Sequence, residues 1–143
     1  MQKGTYVVEG VKAIADALRE SGSLIKVLVG GNRLGDQGTT ILCDALRESG
    51  VSKVQELSLY SNDTGPDGAR AVAALCAVQT SLTSLNLEWN KLGPEGAATL
   101  ASGIAVSSSL KALNVRGRNF LGKEGEHVLR DAVEGREGFD LKL

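Results

Sequence analysis

The chain repeats a short strand-like pattern four times, and this repetition constrains its fold more than any other feature. In each copy an apolar residue is followed, three and five positions later, by two more. The copies are LIKVLVGGN at residues 24–32, VQELSLYSN at 54–62, LTSLNLEWN at 82–90 and LKALNVRGRN at 110–119. A single unit of this size cannot bury its own apolar face, so successive units are predicted to stack.

A second motif, Gly-x-x-Gly, follows each strand-like copy. It occurs as GDQG at residues 35–38, GPDG at 65–68, GPEG at 93–96 and GKEG at 122–125. Counted from the second glycine, the third, fourth, seventh and eighth residues are mostly apolar, as in Ala71, Val72 and Leu75. That spacing is typical of one face of a helix. Each unit is therefore predicted to be a strand, a loop and a helix, with Pro66 and Pro94 stiffening two of the loops.

Together the motifs give L-x-x-L-x-L-x-x-N-x-L-G-x-x-G, which resembles the leucine-rich repeat of the ribonuclease-inhibitor class. The resemblance covers nearly the whole chain. It implies an α/β solenoid, a short horseshoe with a parallel β-sheet on the concave face and α-helices on the convex face. We expect a single domain, residues 1–143, with repeats at 24–53, 54–81, 82–109 and 110–138. The resemblance does not fix a function, because the family includes inhibitors, immune receptors, GTPase-activating proteins and scaffolds.

The two ends of the array depart from the pattern. Residues 1–23 contain only a helix-like half repeat, which is either an N-terminal cap or the end of a longer array whose earlier repeats are absent. Its matches to the second glycine and the apolar helix positions are Gly10, Ile14, Ala17 and Leu18. Residues 139–143, FDLKL, alternate apolar and polar and are predicted to form an edge strand that covers the fourth repeat. Asp140 and Lys142 would discourage further strand pairing.

An asparagine stands where each strand-like copy ends. The four are Asn32, Asn62, Asn90 and Asn119. A side-chain amide at such a turn can bond backbone groups of the neighbouring turn, so we expect a buried asparagine ladder with a structural role. In the fourth copy Arg118 holds the template position and the asparagine follows it. One extra residue near Gly117 is therefore expected to form a small bulge.

Side chains alternate across a strand, so the residues between the leucines are expected to face the concave side. One cluster there, which we name the rim patch, has the mixture of aromatic and charged residues typical of binding hot spots. It consists of Tyr60, Glu88, Trp89 and Arg116. The alternative is that Glu88 and Arg116 merely form a surface ion pair while Trp89 packs over the edge of the loop.

The composition argues against several classes of function. The 16 Lys and Arg residues nearly balance the 17 Asp and Glu residues, so nothing indicates a nucleic-acid-binding or membrane-anchoring surface. No apolar run approaches the roughly 20 residues of a membrane-spanning helix, and the first ten residues do not resemble a signal peptide. We expect a soluble, intracellular, cytoplasmic protein with no small-molecule cofactor.

No catalytic or metal-binding pattern is evident in the sequence. The single histidine, His127, has no second histidine or cysteine near it and is expected to lie on the surface. Cys43 and Cys76 fall in apolar helical patterns, where burial as small hydrophobic residues is expected. The Gly-x-x-Gly loops lack the Lys-Ser/Thr ending of a phosphate-binding loop and recur in every repeat, which indicates repeat architecture.

These observations favour a non-catalytic module that binds a protein partner, of unknown identity, through its concave face. One alternative is a structural spacer in a larger assembly, because four repeats are few for a horseshoe that engulfs a partner. A second alternative is a regulator of a small GTPase, since the chain is similar to the repeat domain of Ran GTPase-activating proteins. Arg33 and Arg118, predicted to lie in loops, would be its candidate contributors.

Overall fold

The computed structural model describes residues 3–143, and over that range helices and strands alternate strictly. The five helices are α1 (Lys3–Glu20), α2 (Gly35–Glu48), α3 (Pro66–Val78), α4 (Gly93–Val106) and α5 (Gly122–Ala132). The five strands are β1 (Lys26–Leu28), β2 (Glu56–Ser58), β3 (Ser84–Asn86), β4 (Ala112–Asn114) and β5 (Asp140–Lys142). The α/β solenoid predicted from the repeats is confirmed.

The strands form one parallel sheet in chain order, β1 to β5. In each central pair the second leucine of one repeat lies opposite the second leucine of the next, as Leu57, Leu85 and Leu113 do. These central side chains are buried, whereas the residues on either side of them face outward. The predicted edge strand corresponds to β5, which pairs with β4 in the same register.

The core lies between the sheet and the helices. Each interior repeat contributes its strand leucines, the leucine of the loop and the apolar face of the helix. In the third repeat these are Leu85, Leu87, Leu92, Leu100 and Ile104, each with at most 1% of its surface exposed. Such burial stabilises the fold by about 1.5–3 kcal/mol for each large side chain. The layers are continuous, so each repeat is held by its neighbours.

Adjacent helices approach closely because small residues line their contacts. The first and fifth residues after the second glycine face the next helix; in α3 and α4 they are alanines, at Ala69, Ala73, Ala97 and Ala101. The closest approach is at Gly103 of α4, where a Cβ atom would lie 2.6 Å from Cα of Ala73. A side chain at residue 103 would force α3 and α4 apart.

The loop before α3 is held by the preceding repeat. The Asp36 carboxylate accepts hydrogen bonds from the backbone N–H groups of Gly65 (2.6 Å) and Gly68 (2.9 Å). It therefore satisfies donors at the start of α3 that have no partner within that helix. Pro66 occupies the first helical turn, where a missing N–H costs nothing.

The two ends of the array differ in chemistry. In α1 the buried residues are Val11, Ala15 and Leu18, whereas Gly10, Ile14 and Ala17 are exposed. Three of the four residues matched to the half repeat thus face outward, since no strand or helix precedes α1 among the described residues. In α5 the positions of the interior alanines are held by Glu126 and Arg130, which form an ion pair of 3.5 Å.

Both cysteines are buried and free, as their apolar surroundings indicate. Burial raises the pKa of the Cys76 thiol to about 12. Burial raises the pKa of Cys43 as well, with smaller contributions from Cys76 and Asp44. The two thiols are protonated at neutral pH and belong to the core.

Candidate partner-binding face

The sheet register places the outward strand residues of the repeats in rows on the concave face. The first row is Lys26, Glu56, Ser84, Ala112 and Asp140, and the second is Leu28, Ser58, Asn86, Asn114 and Lys142. Backbone hydrogen bonds from Gly31 to Tyr60, Ser61 to Glu88 and Trp89 to Arg116 extend the pairing beyond the strands, with N···O distances of 2.8–3.0 Å. The four rim-patch residues therefore lie on three adjacent chain segments.

The two aromatic rings of the rim patch each cover a glycine of a neighbouring repeat. Tyr60 lies over Gly30, where a Cβ atom would be 3.1 Å from Cδ1 of the ring. Trp89 lies over Gly117, where a Cβ atom would be 2.9 Å from Cγ of the indole. Tyr60 and Trp89 remain 42% and 48% exposed respectively. Each ring thus packs on the backbone of a neighbouring repeat on one side and is open to solvent on the other.

Trp89 occupies a backbone conformation that favours glycine. The position one residue after Gly30, Tyr60, Glu88 and Arg116 has positive φ in all four repeats, at Gly31 (73°), Ser61 (52°), Trp89 (57°) and Gly117 (88°). Two of the four repeats use glycine there, because other residues meet steric conflict between Cβ and the backbone. A tryptophan at this position therefore carries strain of about 1 kcal/mol or more.

Asn114 orients the charged half of the rim patch. Its Nδ2 donates to Oε1 of Glu88 at 2.8 Å, and its Oδ1 accepts from the backbone N–H of Arg116 at 3.1 Å. Across residues 3–143 the structure has no ion pair between Glu88 and Arg116, because Glu88 accepts a hydrogen bond from Asn114 instead. The Glu88 carboxylate is fixed by an amide, and the Arg116 side chain is exposed.

Arg118 adds a cation that the sequence pattern did not assign to the patch. Its guanidinium carbon lies 5.9 Å from the centroid of the Trp89 ring, within the range of a cation–π contact. The presence of Arg118 at a template asparagine position was the available signal, but that signal does not predict the direction of its side chain.

Comparison with known proteins agrees with this architecture. Residues 78–101 match a family model described as Leucine Rich repeat. A tropomodulin C-terminal domain from Caenorhabditis elegans superposes with a TM-score of 0.78 at 25% identity, covering 93% of this chain and 81% of that one. The chain has a leucine-rich-repeat fold. A second solved structure, Leiomodin-1 Actin-Binding Site 2, has a TM-score of 0.75 at 18% identity, covering 99% of this chain and 79% of that one. No curated protein matches the chain.

The turn asparagines reach back to the preceding repeat. The Asn90 Oδ1 accepts from the backbone N–H groups of Asn62 and Thr64, both at 3.0 Å, and its Nδ2 donates to the carbonyl of Leu59 at 2.9 Å. Asn62 makes equivalent bonds to the turn of Asn32.

The fourth asparagine makes fewer hydrogen bonds to the preceding repeat. Asn119 donates to the carbonyl of Leu87 at 2.9 Å and accepts from the backbone N–H of Leu92 at 3.3 Å. Asn32 is exposed, and its Nδ2 bonds only carbonyls of its own turn, those of Val29 and Gly30. The ladder thus occupies the three interior junctions between repeats.

His127 is exposed and lies 3.2 Å from Asp131 on the surface of α5. Among residues 3–143 no group of three His, Cys, Asp or Glu side chains could hold a metal ion. None of the described helices has the length and apolar character needed to cross a membrane.

Proposed function

We propose that this chain is a non-catalytic module that binds a protein partner through its concave face, with the rim patch as the centre of contact. The observation that carries this proposal is Trp89. An exposed tryptophan held at a positive φ, where two sibling repeats have glycine, costs stability without filling the core. Strain of this kind is commonly retained at binding sites.

The surroundings of Trp89 support the same proposal. Tyr60 and Trp89 offer large apolar surfaces that are already ordered by the glycines beneath them, so little conformational entropy is lost on binding. Arg116 and Arg118 lie beside them with Glu88, and aromatic residues with arginine dominate the energetics of known interfaces. The patch is therefore pre-organised for a partner with apolar side chains and at least one acidic group.

The solved structures of the same fold suggest the first partner to test. One of them is an actin-binding site, although its likeness to this chain concerns the fold alone. Actin monomers and filaments are thus the first probes, followed by capture from a cell lysate with quantitative mass spectrometry. We expect a saturable protein ligand whose capture falls at least tenfold in Trp89→Ala/Arg116→Ala, which corresponds to about 1.4 kcal/mol.

A matched control keeps loss of folding separate from loss of binding. Arg70→Ala/Val106→Ala also removes one arginine and one apolar side chain, both exposed, from the helical side of the array. This variant should capture the partner as the unmodified chain does. Equal capture by the rim-patch variant and the unmodified chain would place the binding surface elsewhere.

Two alternatives predict different results in the same experiments. A structural spacer would be found in a large assembly whose contacts do not depend on Trp89. A regulator of a small GTPase would accelerate GTP hydrolysis, and Arg33→Ala or Arg118→Ala would abolish that acceleration. Arg118 already contacts Trp89, which supports a role in the rim patch.

A further inference from the structure

The turns that lead from each strand to the following helix differ in charge. Each ends just before the second glycine of its Gly-x-x-Gly motif, and they read GGNRLGDQ at 30–37, YSNDTGPD at 60–67, EWNKLGPE at 88–95 and RGRNFLGKE at 116–124. The first contains one cation and one acid, the second two acids, and the third one cation and two acids. The fourth, which we name the basic turn, contains three cations and one acid. It alone has a net positive charge.

The cations of the basic turn are not neutralised by neighbouring side chains. Arg116, Arg118 and Lys123 are exposed, and none of them forms an ion pair with any residue in the range 3–143. In the interior turns, by contrast, Lys91 pairs with Asp63 at 3.2 Å. The one acid of the basic turn lies in the first turn of α5, where the helix dipole stabilises a carboxylate. The three positive charges are therefore available to a ligand.

An exposed aromatic ring lies in the middle of the basic turn. Phe120 is 75% exposed, the largest fraction among the large apolar side chains that the structure describes, and its φ is 47°. The other repeats have the charged Arg33, Asp63 and Lys91 after their turn asparagines. Asp63 and Lys91 are also exposed although repeats flank them on both sides, so exposure is a property of this position. A bulky residue at positive φ is uncommon, and Phe120 gains no burial there.

The backbone of the basic turn is held in place from inside. The side chain of Asn119 is buried and donates to the carbonyl of Leu87 at 2.9 Å. Its own backbone carbonyl accepts from the N–H of Gly93 at 2.8 Å. Arg118 and Phe120 stand on either side of Asn119 and are exposed. A ligand therefore meets an ordered backbone, and little conformational entropy of the turn is lost on binding.

We propose that the basic turn binds a short acidic segment of the protein partner, in which two or more carboxylates flank an apolar side chain. The carboxylates pair with the three cations, of which the two arginines offer bidentate geometry, and the apolar side chain packs on Phe120. Arg116 belongs to the rim patch and Arg118 lies 5.9 Å from the centroid of the Trp89 ring. This inference therefore rests on the function proposed above and names the chemistry of the partner.

The neighbouring turns favour a short acidic segment over a nucleic-acid strand. Glu88 is fixed beside the basic turn by the 2.8 Å hydrogen bond from Asn114. The turns of the third and second repeats, which lie beyond it, contain more acids than cations. A nucleic-acid strand carries a phosphate charge about every 3.4 Å, so one that continued along the row of turns would meet these acids. A short acidic segment ends before it reaches them.

The first experiment uses two capped model peptides in place of an unidentified partner. In the acidic peptide, six Glu residues flank a central Leu-Phe-Leu; in the neutral peptide, Gln replaces every Glu. We expect the acidic peptide to bind at least tenfold more tightly and to shift the backbone amide resonances of residues 116–124. Its affinity should fall between about 50 mM and about 500 mM salt, because exposed charges are screened.

The second experiment removes cations without touching the four rim-patch residues. Arg118→Gln/Lys123→Gln should weaken binding of the acidic peptide at least tenfold, and Phe120→Ala should weaken binding of both peptides. The matched control is Lys53→Gln/Lys111→Gln, which makes the same change of net charge at two exposed lysines where strands begin. This control should bind within twofold of the unmodified chain. Arg118→Glu/Lys123→Glu should instead bind a peptide in which Lys replaces every Glu.

Four results would overturn the proposal. Equal binding of the acidic and neutral peptides would exclude recognition of carboxylates. Equal losses in the two Gln variants would assign the attraction to the net charge of the whole chain. Tighter binding of an eight-nucleotide thymidine oligonucleotide than of the acidic peptide would make the basic turn a nucleic-acid site. Absence of peptide binding, with partner capture still lost in Trp89→Ala/Arg116→Ala, would remove this inference and leave the rim patch standing.

Discussion

The indole of Trp89 packs on Gly117, so that a Cβ atom at residue 117 would displace the ring. Gly117→Ala should therefore move the only tryptophan of the chain toward solvent and shift its fluorescence emission to longer wavelength. Gly31→Ala is the control, because residue 31 also has positive φ but a Cβ atom there would meet nothing within 4 Å. An unchanged emission spectrum in Gly117→Ala would show that the ring does not rest on this glycine.

The strain at Trp89 can be measured by comparing two truncations. Both Trp89→Gly and Trp89→Ala remove the indole, but only glycine adopts the positive φ without strain. We expect Trp89→Gly to be more stable than Trp89→Ala by about 1 kcal/mol in urea unfolding followed by circular dichroism. Both should lose partner capture equally. Equal stabilities would mean that the backbone relaxes once the ring is removed.

The asparagine bonds predict a large difference between two chemically identical substitutions. Asn90→Ala leaves buried backbone groups of Asn62, Thr64 and Leu59 without partners, and should destabilise the fold by about 3 kcal/mol. Asn32→Ala removes only exposed bonds within its own turn and should cost less than about 1 kcal/mol. Chemical denaturation of the two variants side by side provides the measurement; similar losses would contradict the ladder.

The contact between α3 and α4 predicts opposite effects at two helical glycines. Gly103→Ala places a Cβ atom against the backbone of Ala73 and should destabilise the fold by about 1–3 kcal/mol. Gly10→Ala meets nothing within 4 Å and should stabilise by about 0.5–1 kcal/mol through helix propensity. Thermal unfolding of both variants tests the pair. A stabilising Gly103→Ala would show that α3 and α4 can separate at little cost.

The buried thiols predict a loss of stability at alkaline pH. Burial raises the pKa of Cys76 from 9.0 to about 12, so the unfolded chain releases this proton at lower pH than the folded chain does. Stability from this thiol is complete below pH 9.0 and falls as the pH rises toward about 12. Unfolding in urea at several pH values should show a shallower alkaline decline in Cys43→Ala/Cys76→Ala; parallel declines would exclude the thiols as its cause.

The repeating motifs were sufficient to predict the fold, because each motif depends on contacts inside its own repeat. The strand leucines and the Gly-x-x-Gly loop gave the alternation of strand and helix and the parallel sheet. The paired segments are only three residues long, far shorter than the copies of nine or ten residues, since the chain turns within each copy. The regular strand is limited by that turn.

Features that depend on contacts between units were harder to predict. The small residues at Thr39, Ala69 and Ala97 recur at one helix position, and this signal could have identified the helix–helix junctions. The contact of Arg118 with Trp89 could not be predicted in the same way, because it joins side chains of two different repeats and occurs once in the array. The exposure of Ile14 could not be predicted from the helical pattern of α1, because burial at this helix position depends on contacts outside the helix.

The asparagine bonds to the preceding repeat predict the order in which the repeats unfold. Each interior asparagine holds the turn of the repeat before it, so the loss of the first repeat leaves every remaining turn still held by its successor. Unfolding of the last repeat instead leaves the turn of the third repeat without its hydrogen-bond partner. Partial opening therefore proceeds from the N-terminal side, and amide hydrogen exchange should slow progressively from β1 toward β3.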